Sequence, residues 1–118
     1  MRQLPFFLLL LPLLAACPAG VDCDTSAAYS ANVTVLDENG DAIDDADVAY
    51  AVNGNVTDCD AVEGGWACGA EVAGEMTIIA RKPGYFEATE LLDIEQGECH
   101  VVAQDVTLQL ELDPGQAR

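Results

Sequence analysis

The sequence predicts an all-β domain, an antiparallel β-sandwich of six or seven strands. Three observations carry that expectation. Short segments alternate apolar and polar residues, which is the period of a half-buried strand. Turn signals separate these segments at a spacing of roughly 8–12 residues. No stretch after residue 17 sustains a helical period with caps, apart from an ambiguous "FEATELLDIE" (86–95) that reads as a strand because a turn leads into it.

The elements follow in order. Val33 and Val35 alternate with Asn32 and Thr34. "DENGD" (37–41) then supplies an Asn-Gly turn. Val48, Tyr50 and Val52 share one face, opposite Asp47, Ala49 and Ala51, and "VNGN" (52–55) repeats the turn device. "EGGW" (63–66) holds two glycines. Met76, Ile78 and Ala80 make a further apolar face, and "KPGY" (82–85) places Pro83 and Gly84 where a type II turn wants them. Val106, Leu108, Leu110 and Leu112 alternate with Thr107, Gln109 and Glu111 in the last strand.

The N-terminus is of another kind. Arg2 precedes an apolar run from Leu4 to Leu14 that is too short to span a bilayer as a helix. Ala15 and Ala16 follow, completing the plan of a cleaved secretory signal over residues 1–16. Pro5 and Pro12 would break a buried helix or strand there. Leu14-Ala15-Ala16-Cys17 resembles the lipobox of bacterial lipoproteins. That resemblance implies a lipid on Cys17, attachment to the membrane through that anchor, and a place in the cell envelope. Pro18, where aspartate would favour inner-membrane retention in some bacteria, leans the expectation toward the outer membrane, facing the periplasm or the surface. Residues 17–28 read as the lipidated N-terminus and a small, polar tether, residues 29–112 as one domain, and residues 113–118 as a tail.

The chain carries twenty-one acids against four bases, a net charge of −17, and loss of Arg2 makes it one unit more negative. The remaining bases are Arg81, Lys82 and Arg118. Nucleic acid is a poor partner for such a surface, since phosphate binding needs clustered Lys and Arg.

Three segments, taken in order, resemble the carboxypeptidase regulatory-like domain, a seven-stranded sandwich of transthyretin-like topology. They are "VTVLDENGDAIDDADVAY", "GEMTIIARKPGYFEAT" and "CHVVAQDVTLQLEL". The resemblance implies a non-catalytic module of the kind found beside enzymes, transporters or surface proteins; with the anchor, the expected function is contact with another envelope component, a protein or a polysaccharide. The transthyretin-like architecture also includes hydroxyisourate hydrolase, which uses several histidines and an arginine and ends in Tyr-Arg-Gly-Ser. This chain has one histidine and ends "LDPGQAR", which argues against an enzyme.

Of five cysteines, Cys17 is assigned to lipid, and the other four allow three pairings. A hairpin closed by Glu63-Gly64 faces Val62 with Gly65, Ala61 with Trp66, Asp60 with Ala67 and Cys59 with Cys68. The cysteines then occupy a non-hydrogen-bonded pair, where side chains come closest. That leaves Cys23 with Cys99, which would share one end of the domain if the first and last strands run side by side in parallel, as they can in a sandwich of this kind.

"DENGDAIDDAD" (37–47) suggests calcium, with Asp37, Asp41, Asp44 and Asp45 as candidate ligands. The EF-hand template fails because its sixth position, a glycine, falls on Ala42. Zinc lacks a recognisable ligand spacing, and no resident cofactor is expected. A cation- or small-ligand-binding module built on these acidic loops is the alternative function. His100 reads as an ordinary exposed strand residue, and Trp66 and Tyr50 as core and edge fillers. Asn32-Val33-Thr34 and Asn55-Val56-Thr57 are sequons, of little weight in a bacterial lipoprotein.

Overall fold

The computed structural model describes residues 23–115, so the signal segment, Cys17, the start of the tether and residues 116–118 lie outside the described residues. Eight strands form: β1 (Tyr29–Leu36), β2 (Asp47–Val52), β3 (Asn55–Asp58), β4 (Asp60–Val62), β5 (Gly65–Ala70), β6 (Gly74–Arg81), β7 (Ala88–Ile94) and β8 (Gln104–Gln109). They make two four-stranded sheets, in the orders β4-β5-β1-β8 and β3-β2-β6-β7. All pairs are antiparallel except β1 with β8, which run parallel from Ala31↔Gln104 to Leu36↔Gln109.

The expected seven strands are eight because the chain breaks at Cys59. Only Cys59 separates β3 from β4, yet β3 pairs with β2 in one sheet and β4 with β5 in the other. At the corner the Cys59 N–H donates to the Val48 carbonyl at 2.9 Å. The hairpin beyond it has the expected register, Val62↔Gly65, Ala61↔Trp66 and Asp60↔Ala67. Cys59 and Cys68 are bonded, with Cα atoms 4.6 Å apart, the spacing of a non-hydrogen-bonded pair.

The period-two faces meet in one hydrophobic cluster. Val33 and Val35 of β1, Trp66 of β5, and Val106 and Leu108 of β8 come from the first sheet; Val48, Met76, Ile78, Leu92 and Ile94 come from the second. Each such side chain contributes about 1.5–3 kcal/mol on burial. Tyr50 packs half-buried against this cluster. The last strand ends sooner than its alternation suggests. Leu110 is fully buried just after β8, but Leu112 is 42% exposed and only bridges to Tyr85. Among the described residues one polar side chain is fully buried, that of Ser30, whose hydroxyl donates to the Val72 carbonyl (2.7 Å) and accepts the Val72 N–H (2.9 Å).

Turn chemistry explains the connections. Asn53 and Gly54 both have positive φ, as a type I′ turn between β2 and β3 requires. Lys82-Pro83-Gly84-Tyr85 closes as a type II turn, with φ of 88° at Gly84 and the Tyr85 N–H on the Lys82 carbonyl at 3.0 Å.

Candidate functional site

Strand directions give the domain two distinct ends. β1 starts beside Cys23, and β8, parallel to it, starts just after Cys99; these cysteines are bonded. β5, antiparallel to β1, finishes at the same end, and Ser30 and Val72 hold the start of β6 there. β6 therefore carries Arg81 to the opposite end, roughly 23 Å away for an eight-residue strand.

The first end is built around Glu71, which adopts φ of 56° in the turn from β5 to β6. Its carboxylate accepts the Ala28 N–H (2.8 Å) and the Val101 N–H (3.1 Å), and it also meets Nδ1 of His100. Nε2 of His100 lies 2.9 Å from the Asp24 carboxylate. His100 is thus not an exposed strand residue. It lies in the β7–β8 loop, half-buried, tying the N-terminal segment to the loops beside Cys23–Cys99. Its two carboxylate partners, Glu71 first and Asp24 second, hold the imidazole above the usual histidine range. The Ala28 N–H and then His100 keep Glu71 below the ordinary carboxylate range. Ser26 and then His100 do the same for Asp24.

These shifts have opposite signs in pH. The raised imidazole stabilises the fold fully below the ordinary histidine value, about 6.5, and loses that effect as pH rises through its folded value. The lowered carboxylates contribute above about pH 4 and lose their effect as pH falls through their folded values. The cluster is therefore strongest between about pH 4.5 and 6.5. His100 is the only histidine in the chain. Urea midpoints of the native chain are expected to fall between pH 6 and 9, and those of His100→Gln to stay nearly flat; parallel slopes would refute the assignment.

The calcium candidates do not converge. Asp37 is occupied by its own turn, where one carboxylate oxygen accepts the N–H groups of Asn39 (2.8 Å) and Asp41 (2.9 Å). Both Asp45 oxygens hold the Lys82 ammonium at 2.8 Å, which lowers the carboxyl pKa and raises that of the lysine. Asp41 and Asp44 are exposed. Among the described residues no three His, Cys, Asp or Glu side chains are grouped as a metal site needs. Trp66 is buried in the core, Asn32 is exposed on β1, and Asn55 is exposed at the start of β3.

The opposite end holds a cleft of about 450 Å³ that sequence reasoning missed. Asp47, Arg81, Lys82, Tyr85, Phe86 and Glu87 line it. Phe86 N–H donates to the Glu111 carbonyl (2.8 Å) and Asp113 N–H to the Gly84 carbonyl (2.9 Å), so the segment after β8 buttresses the KPGY turn. Arg81 Nε donates to Glu87 at 2.8 Å. Arg81 and Lys82 are the only Lys or Arg among the described residues, so the scarce cations of an acidic chain stand together here. The one available signal was their adjacency to "PGYF".

Among the described residues no helix is long and apolar enough to cross a membrane. The chain matches no known family model and no curated protein.

Proposed function

We propose that this chain is a lipid-anchored, non-catalytic module of the cell envelope. In this reading it is a transthyretin-like sandwich that binds another envelope component, a protein or a polysaccharide. Cys17 carries the lipid, and the outer membrane, facing the periplasm or the surface, is its place. The observation that supports this best is the polarity of the domain. Cys23–Cys99 pins the chain's entry at one end, while the cleft and the 37–46 loop occupy the other. Only residues 18–22 would separate the acylated cysteine from that bridge, about 12 Å as flexible coil. The anchored end would face the bilayer closely and the cleft would face away from it. Cation capture by the acidic loops would compete with the Lys82 ammonium that both Asp45 oxygens already hold.

Metabolic labelling with palmitate tests the anchor. The native chain is expected to take label, and Cys17→Ala to lose it while both disulfides still form. Label retained by Cys17→Ala would overturn the reading.

A further inference from the structure

We infer that the cleft at the end remote from the anchor binds a neutral polysaccharide, with a sugar ring lying on Phe86 and its hydroxyls between Arg81 and the carboxylates of Asp47 and Glu87. This rests on the binding-module reading above and names its ligand.

The chemistry of the cleft selects that class. Phe86 lines the cleft and keeps 53% of its surface exposed, although burial normally stabilises such a ring. Tyr85 beside it is half-buried. Arg81 uses Nε for Glu87; among the described residues its terminal nitrogens make no hydrogen bond. The Asp47 carboxylate likewise makes none among the described residues. The cleft thus offers unused donors and acceptors side by side. Guanidinium only donates and carboxylate only accepts, whereas a sugar hydroxyl does both and can lie between them. Charge points the same way. The lining sets two cations against three carboxylates, Asp47, Glu87 and Asp113, on a chain of net charge −17. An anionic polymer is repelled by the domain as a whole. A basic peptide finds more favourable carboxylate elsewhere on the surface than beside Arg81 and Lys82. The volume, about 450 Å³, lies within the range of small-ligand sites, roughly 300–1,000 Å³.

The test uses the full acylated chain in detergent micelles and titrates it with soluble oligomers of β-1,4-linked glucose and of N-acetylglucosamine, with oligomers of a uronic acid as the anionic control. Saturable binding of a neutral oligomer is expected, weakened at least tenfold by Phe86→Ala and by Arg81→Ala. Val56→Ala, on exposed β3, should leave it unchanged. Retained disulfides and circular dichroism establish that each variant is folded. No binding at millimolar sugar, binding indifferent to Phe86→Ala, or preference for the uronic acid would each overturn the inference. A crosslinked protein partner lost in Phe86→Ala, without sugar binding, would overturn it too while leaving the module reading intact. Loss of palmitate dependence on Cys17 would strike the anchor alone.

Discussion

Replacing both Cys23 and Cys99 with alanine is expected to lower the unfolding free energy by about 4.5 kcal/mol. The bond links residues 76 apart, so its removal frees the largest loop in the unfolded chain. Cys23 is exposed and Cys99 half-buried, so the change leaves no cavity in the core. The loss is therefore dominated by loop-closure entropy. Small domains are stable by only about 5–15 kcal/mol, so the melting temperature should fall by roughly 20 °C or more. The six paired positions of β1 and β8 and the Glu71 bonds to Ala28 and Val101 remain, and the variant should still fold. Urea unfolding under oxidising conditions is the measurement. A loss below about 1 kcal/mol would mean that the two chain segments are already held together in the unfolded ensemble.

The same bond shows what was legible in the sequence and what was not. Both bridges could be inferred, the smaller from hairpin counting and the larger by remainder. Once Cys23 and Cys99 are joined, the next residue along each segment, Asp24 and His100, also becomes a neighbour. The Asp24–His100 contact was thus latent in the pairing. Glu71 was not. It reaches the site from the β5–β6 turn through a left-handed backbone that no glycine or asparagine announces. Strand periodicity identified the inward faces of β1, β6 and β8 because each strand has one dry side. Periodicity could not show the sheet change at Cys59, since a corner keeps the chain extended on both sides. The remote cleft was also hidden, because Asp47 meets Arg81 only through the pairing of β2 with β6, and Asp113 reaches them from the chain that follows β8 in the other sheet. The partners of the acidic loop were hidden for a related reason. Asp37 and Asp45 suggest a cation, and the fold gives one a turn to cap and the other a lysine from a distant strand end.

Gly65→Ala is expected to cost about 3 kcal/mol, at the upper end for overpacking a tight site. The reason is not the turn. Gly65 has no positive φ, but a Cβ there would lie 2.1 Å from the Val33 carbonyl oxygen. That oxygen belongs to the backbone of β1, which is bonded to β5 on one side and β8 on the other. It cannot retreat without disturbing both pairings and the neighbouring Trp66, which is buried in the core. Gly64 presents the opposite case. Its φ is 84°, yet a Cβ there would meet nothing within 4 Å. Gly64→Ala should therefore cost only backbone strain, about 1 kcal/mol. Turn chemistry alone ranks Gly64 as the more demanding glycine of "EGGW"; the packing of β5 on β1 reverses that order. Urea midpoints of the two variants, with unchanged denaturant slopes, decide between them. If Gly65→Ala proved as mild as Gly64→Ala, β1 and β5 would have to stand further apart at Val33 than this arrangement allows, and the hairpin carrying Cys59–Cys68 would be held by its disulfide more than by its contact with the first strand.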